Sequence, residues 1–392
     1  MMSLRKIGRD LVRSRLLPRP RLSGEQDLKQ EQIVVAGMFG SGNGLGRAAR
    51  GCFEALRAQG LSPLAIDTSP ILNQSDIRAS LETGTLDLAR PGTLILYANP
   101  PELELCLISL GFRRWHDWRI IGAWVWETPV APKSWKRQTA FVSEVWAPSR
   151  FVATTFEAAF DVPVRVVPHF LGQHGPSAPA DALASQPEKR LQILSLADAR
   201  SSLTRKNPLG AVNMFRLAFP GDEDVRLTIK TQQLSRFPRY ADQLQRAIGN
   251  DPRIQVIDST LSANEHSALL AAAEIVLSPH RSEGFGLSLA EAMAAGKCVV
   301  ATGWSGNLDF MSAENSVLIP YTLVPVRDPT GVYPDDPAAA WADPDTAAGA
   351  EILWKLARNP DRRREIGTEA RESIREGLSA GVYSKALQLG PA

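Results

Sequence analysis

Cysteine is scarce: the 392-residue chain holds three, Cys52, Cys106 and Cys298, far apart and in apolar surroundings. An odd, sparse count offers no disulfide framework and suits a reducing compartment, so the chain is expected in the cytoplasm. Histidine is also rare, and none of His116, His169, His174, His266 and His280 pairs with another at metal-ligand spacing. No apolar run reaches the roughly 18 residues that a membrane-spanning helix needs. The best, from Ala268 to Leu277, is short and carries Glu274. With 44% hydrophobic and 22% charged residues, the chain sits near globular averages, which excludes wholesale disorder and a coiled coil. Its length is over twice that of a typical single domain, and two domains are expected.

Net charge is small, at +2, but unevenly placed. Residues 1–21 carry +6, from Arg5, Lys6, Arg9, Arg13, Arg15, Arg19 and Arg21 against Asp10, so the rest carries −4. A mildly acidic body argues against nucleic acid as a partner. In the arm, Leu4, Ile7, Leu11 and Val12 recur at helical spacing between the arginines. Such a segment can lie on an anionic membrane surface, which would make the protein peripheral on the inner face of the cell membrane. A solvated arm is the other reading. The interrupted apolar residues make a poor secretory signal.

Short β-branched runs alternate with helical segments along nearly the whole chain. Strands are expected at Gln32–Ala36, Pro63–Ile66, Thr93–Tyr97, Arg119–Trp124, Glu144–Ala147 and Val164–Val167. After a Pro-, Ala- and Ser-rich stretch they resume at Gln192–Leu196, Arg226–Ile229, Ile254–Ile257, Ile275–Leu277, Cys298–Ala301 and Ser316–Ile319. Helices are expected at about Leu45–Gln59, Pro208–Leu217, Tyr240–Ile248, Ala263–Ala272 and Leu287–Ala294, and over most of Thr346–Leu389. Alternating βα units with continuous apolar strands imply parallel sheets covered on both faces. The fold class is α/β, with two doubly wound domains around a cleft. The expected boundaries are a basic arm 1–30, a first domain 31–171, a linker 172–190 and a second domain 191–375. The last stretch, 376–392, is read as a helix that returns to the first domain.

Ligands of open parallel sheets bind beyond the carboxyl ends of the strands, so segments directly after strands carry the most weight. The first is Gly40-Ser41-Gly42-Asn43-Gly44-Leu45-Gly46, where small residues let backbone amides approach an anion. Asp67 lies near the place of a ribose-binding acid, but the glycines alternate as GxGxG rather than GxGxxG. A tight turn without ligand contact is the alternative. The second segment, Asp198 to Pro208, puts Arg205 and Lys206 just before a helix start flagged by Asn207-Pro208. Two cations there suit a diphosphate, though an adjacent basic pair is also common on solvated surfaces.

The third segment runs from Ser278 to Gly296 and contains Glu283-Gly284-Phe285-Gly286-Leu287-Ser288-Leu289-Ala290-Glu291. A buried strand ends in a glycine-bearing loop that opens a helix, where the Gly286 and Leu287 amides are available to a phosphate. Eight residues of helix span about 12 Å, roughly the reach from a sugar ring over a diphosphate to a ribose. A carboxylate is a natural acceptor for paired sugar hydroxyls. The plainer reading makes Glu291 a surface residue and Glu283 an ordinary acid near a cap.

With these residues in view, the chain resembles a family 4 glycosyltransferase of GT-B fold, from about residue 32 onward. The segments WVWETPVAPKSW, SEVWAPSRF, VVPHF and LVPV…YP…WADPD resemble a bacterial subgroup of that family. The resemblance implies retaining transfer of a hexose from a nucleotide diphosphate sugar, UDP- or GDP-linked, to a hydroxyl of a glycan or lipid-linked glycan. Surface polysaccharide synthesis is the implied setting. It further implies that Glu291 holds ribose hydroxyls and Glu283 the hexose hydroxyls. Arg205, Lys206 and the amides beside Phe285, Gly286 and Leu287 would take the diphosphate, and the Gly42–Gly44 loop would close over the donor.

No cofactor and no metal are implied: no convincing DxD is present, and Asp222-Glu223-Asp224 reads as a surface turn. Two departures stand out. The usual Gly-Arg ahead of the basic residue is replaced by Asp198 to Arg200, and the usual histidine near the sugar by Trp126-Glu127. Glu127 is therefore either catalytic or structural. Six of the nine tryptophans lie between Trp115 and Trp146, and Trp124 and Trp126 either stack on acceptor sugars or pack in the core. The rival readings are an NAD-dependent oxidoreductase, built on the glycine loop and Asp67, and an inactive nucleotide-sugar-binding protein. A phosphorylase lacks a cofactor lysine context.

Overall fold

The computed structural model describes residues 32–77, 87, 90–172 and 190–388. The expected arm 1–30 and nearly all of the expected linker lie outside the described residues. The chain divides into two compact units. Met1–Trp126, Ala131–Gly172 and Leu378–Ala392 form one, and Glu127–Val130 with Gln173–Gly377 the other.

In the first unit, β1 (Ile33–Gly37), β2 (Leu64–Asp67), β3 (Thr93–Tyr97), β4 (Arg119–Ala123), β5 (Glu144–Ala147) and β6 (Val164–Val166) form a sheet in the order β2-β1-β3-β4-β5-β6. Every pairing is parallel. β1, β3, β4 and β5 are buried along their whole length, as strands covered on both faces must be. Helix α1 (Gly44–Ala58) starts where Asn43 Oδ1 accepts the Gly46 N–H at 2.8 Å. It lies so close to β1 that a Cβ on Gly37 would come within 2.6 Å of Ala49 Cβ. Helices α2 (Pro100–Ser109) and α3 (Arg150–Glu157) complete the βα units.

The second unit repeats the design. β7 (Leu191–Asp198), β8 (Val225–Gln232), β9 (Ile254–Asp258), β10 (Ile275–Ser278), β11 (Cys298–Thr302) and β12 (Val317–Ile319) pair in parallel in the order β12-β11-β10-β7-β8-β9. The connecting helices are α4 (Leu203–Lys206, a single turn), α5 (Pro208–Ala218), α6 (Pro238–Ile248), α7 (Ala263–Ala272) and α8 (Leu287–Ala294). An antiparallel pair, β13 (Tyr321–Pro325) and β14 (Ala340–Pro344), precedes α9 (Thr346–Ala357) and α10 (Pro360–Gly377). One apolar core runs through the unit, with Val212, Phe215, Leu227, Ile275, Val300 and Leu353 all buried.

The expected strands and helices match these elements to within a few residues. Five elements lie where no periodicity marks them: α2, α3, the single turn α4, β13 and β14. α2 opens with a Pro-Pro pair, which fits only the first helical turn, and α3 is held by the Ser149 cap, whose Oγ accepts the Val152 N–H at 3.3 Å. β13 and β14 are joined across 14 residues, so local turn chemistry does not announce the pairing.

The last helix, α11 (Gly381–Gln388), packs in the first unit. Tyr383, Ala386 and Leu387 enter the same core as Val35, Ala49 and Trp146, and the Tyr383 ring stacks on Trp146 at 6.0 Å. The helix is also tied by a buried charge. Arg119 pairs with Glu144 on the neighbouring strand and donates from Nη1 to the Leu387 carbonyl at 3.0 Å. Both side chains are essentially inaccessible, and removing one partner of such a pair leaves a buried charge uncompensated. Glu144→Gln is therefore expected to lower the unfolding free energy by about 3 kcal/mol in urea titrations. A change below about 1 kcal/mol would show that the pair holds nothing in place.

Candidate functional site

The second sheet changes direction between β7 and β10, with β8 and β9 on one side and β11 and β12 on the other. At such a switch point the loops after the two central strands diverge, and the opening lies at the carboxyl ends of the strands. Those loops are residues 199–208 and 279–286. They carry Arg205 and Lys206, and Glu283, respectively.

The first loop turns through strained backbone. Ser202 and Asn207, with φ of +58° and +54°, bracket the single turn α4. Ser202 Oγ accepts the Arg205 N–H at 3.3 Å. Asn207 Oδ1 accepts the Gly210 N–H at 3.1 Å to start α5, and its Nδ2 donates to the Pro279 carbonyl at 2.8 Å. Asn207 thus ties the two loops together, and the Arg281 N–H adds a bond to the Arg205 carbonyl at 2.7 Å.

The charges meet between the loops. Lys206 Nζ donates to Glu283 Oε1 at 2.5 Å, and Arg205 Nη1 lies 3.2 Å from Glu283 Oε2. Arg205 also donates to the Ser282 carbonyl at 2.6 Å and the Ser201 carbonyl at 3.1 Å. The Glu283 backbone is held as firmly: its N–H donates to Ser305 Oγ at 2.7 Å and its carbonyl accepts from Gly306 at 2.9 Å. The Arg205 and Glu283 side chains are only 2% and 7% exposed. Burial by itself would raise the Glu283 carboxyl, but Lys206 and Arg205 outweigh it and bring it down to about 2. At neutral pH Glu283 is an ionised acceptor and has no proton to donate.

Three residues beyond Glu283, Gly286 adopts φ +97°, a conformation that favours glycine, and α8 begins without a capping side chain. The amides of Leu287 and Ser288 therefore have no partner inside the helix. Phe285 is buried against Phe310, ring to ring at 5.1 Å. Glu291 lies one turn into α8, its Oε2 3.7 Å from His266 Nε2 on α7. Glu283 and Glu291 thus stand in different surroundings, one among cations and one beside an imidazole.

Glu127, read from sequence as catalytic or structural, belongs to the second unit through the segment Glu127–Val130. Its Oε1 is 3.7 Å from Arg205 Nη2, and its Oε2 accepts the Tyr333 hydroxyl at 2.9 Å. Arg205 thus lies between two carboxylates.

The remaining candidates lie in the first unit. The Gly42 N–H donates to Asp76 Oδ1 at 2.7 Å, and the Gly40 N–H to Ser69 Oγ at 2.9 Å. Asp67 accepts from the Ser69 amide at 2.9 Å and the Ser69 hydroxyl at 2.6 Å. The loop amides and the acid on which a dinucleotide site would be built are thus engaged with each other and their neighbours. Gly44 is the first residue of α1. Trp124 is 1% exposed, packed edge-on against Trp135, Phe156 and Phe160, so it has no free face for a sugar, and the core-packing alternative describes it. Trp126, also buried, meets Trp135 at 5.0 Å.

His266 and Asp328 carry no signal in the sequence, and Tyr333 only the YP of the stretch that resembles a bacterial subgroup. Tyr333 is 206 residues from Glu127, and His266 is 25 from Glu291, on another helix.

Residues 209–332 match the family model for glycosyl transferases group 1. No curated protein matches the sequence. Among solved structures, the chain is similar to TarM of S. aureus at 18% identity and TM-score 0.56, covering 76% of this chain and 54% of that one. It thus spans about half the length of TarM. Sucrose-phosphate synthase from Thermosynechococcus elongatus gives TM-score 0.62 at 16% identity, over 92% of this chain and 98% of that one. HepE of Anabaena, solved with UDP and glucose, gives 0.63 at 14%, over 91% and 98%. The fold is that of GT-B glycosyltransferases, with two Rossmann-like domains.

The Glu283 carboxyl binds its proton less readily in the folded chain than at its ordinary value of 4.5. It therefore contributes stability above about 4.5 and loses it as pH falls through that value towards about 2. Lys206→Met is expected to raise the Glu283 titration midpoint by about one pH unit or more, read from its carboxyl carbon resonance by NMR. An unmoved midpoint would show that Lys206 is not what holds the charge.

Proposed function

We propose that the protein is a retaining, metal-independent glycosyltransferase that moves a hexose from a UDP- or GDP-linked sugar to a hydroxyl of a glycan or lipid-linked glycan. The observation that carries this reading is the buried, ionised Glu283, held by Lys206 and Arg205 ahead of the uncapped start of α8. The matched segment, residues 209–332, includes Glu283, Glu291 and α8. UDP and glucose bound to HepE, a protein of the same fold, support the class of donor.

In this reading, Glu291 accepts the ribose hydroxyls and Glu283 the hexose hydroxyls, a task for an acceptor that stays charged. Lys206, Arg205 and the amides beside Phe285, Gly286 and Leu287 meet the diphosphate. In the transfer, the bond from the anomeric carbon to the phosphate oxygen breaks. A bond to the acceptor oxygen forms on the same face, and the acceptor proton leaves with the nucleoside diphosphate. Fixed cations and helix amides stabilise the negative charge that grows on the leaving group, which is the work a metal ion does elsewhere. Bacterial surface polysaccharide synthesis is the setting, and the basic residues 1–21 are the part suited to an anionic membrane.

Calorimetric titration with UDP, GDP and NAD tests the assignment. One nucleoside diphosphate is expected to bind wild type, and Glu291→Ala to weaken it by about tenfold or more, the loss of hydrogen bonds to a charged acceptor. Binding of NAD alone, or a Glu291→Ala variant with unchanged affinity, would overturn the reading. Nucleotide binding without turnover on any sugar donor would leave an inactive nucleotide-sugar-binding protein.

A further inference from the structure

Arg205 is held from two sides by a closed ring of contacts. On one side, Ser202 Oγ, which accepts the Arg205 N–H, donates to Asp328 Oδ1 at 2.9 Å. The other oxygen of Asp328 gathers the loop that follows it, accepting Thr330 Oγ1 at 2.7 Å, the Val332 N–H at 3.1 Å and the Tyr333 N–H at 3.2 Å. On the other side, the Tyr333 hydroxyl donates to Glu127 at 2.9 Å, and Glu127 faces the Arg205 guanidinium at 3.7 Å. The backbone of Tyr333 is thus tied to the backbone of Arg205, and the side chain of Tyr333 to its side chain.

The ring is rigid at its far end. Tyr333 is 3% exposed and packs edge-on against Trp341 of β14 at 6.2 Å. Burial is the main reason its hydroxyl stays protonated well beyond the ordinary tyrosine range, which keeps it a donor to Glu127. Both oxygens of Glu127 are engaged within the ring, one by Tyr333 and one by Arg205.

We infer that Tyr333 is a positioning residue that, through Glu127, fixes the guanidinium of Arg205, and that Glu127 serves as the anchor in this ring. The consequence for donor binding rests on the proposed function, because a guanidinium already oriented loses less freedom when a diphosphate arrives.

Tyr333→Phe tests this, since it removes the hydroxyl and keeps the ring against Trp341. In the ligand-free protein, the Nη–H signals of Arg205, assigned through Arg205→Lys, are expected to exchange faster with water in Tyr333→Phe. Affinity for the nucleoside diphosphate that wild type binds is expected to fall about three- to tenfold, the effect of one hydrogen bond. On the Arg205→Lys background, Tyr333→Phe should cost nothing further, because its effect passes through the guanidinium. Unchanged Arg205 exchange, or an equal loss of affinity on both backgrounds, would overturn the inference. Should Tyr333→Phe fold poorly, Glu127→Gln must speed the same exchange, and a slow signal there has the same overturning force. A wild type that binds no nucleoside diphosphate, with Arg205 freed in Tyr333→Phe, would remove the proposed function and leave the positioning role standing.

Discussion

The carboxylate of Glu283 sits where water cannot solvate it, and much of the second unit is arranged around that constraint. Taking a carboxylate out of water costs several kcal/mol unless cations and hydrogen bonds replace the solvent. Lys206 and Arg205 supply the cations, and both must come from a different loop. The sheet order makes this possible, because β7 and β10 are neighbours and their following loops open at the same edge. Three residues other than glycine with positive φ, Ser202, Asn207 and Ser305, occur in the segments that bring the charges together. Each is held by side-chain hydrogen bonds that offset the strain: Ser202 to Asp328, Asn207 to Pro279 and Ser305 to Glu283.

The two units share a βα layout and use it differently. In the first, the polar groups at the strand ends bond to one another: Asp67 to Ser69, Asp76 to Gly42, Asn43 to Gly46. Its buried ion pair, Arg119 with Glu144, ties the last helix to the sheet through the Leu387 carbonyl. That pairing is architectural. In the second unit the corresponding loops concentrate unlike charges beside an uncapped helix start. A buried ion pair seldom stabilises a protein more than apolar packing of the same volume would.

What the sequence disclosed follows the range of each interaction. Strand positions were legible because buried parallel strands demand continuous β-branched runs, such as Ile33-Val34-Val35 and Cys298-Val299-Val300. The start of α8 was legible because glycine at positive φ and the acids on either side fall within nine residues. Arg205 and Lys206 were legible as a basic pair before Pro208, but nothing nearby shows that they meet Glu283, 77 residues on. The glycine loop is legible by composition, but the partners of its Gly42 and Gly40 amides, Asp76 and Ser69, are distant in sequence. Trp124 is similar: its residue type suits a sugar, and only packing against Phe156 and Phe160 decides its place.

Glu127 shows most clearly how far local reading reaches. Its neighbours in sequence, Trp126 on one side and Thr128-Pro129 on the other, say nothing of a guanidinium. Its chemistry is set by Arg205 and Tyr333, which come from separate strand-connecting segments. Its value lies in fixing a planar cation that also donates to the Ser201 and Ser282 carbonyls and faces Glu283. Electrostatic stabilisation of a leaving group depends on charges already in place when the bond breaks, and it is weakened by any that must turn first. A second carboxylate beside Arg205 lowers the net positive charge there and, in exchange, restrains the guanidinium.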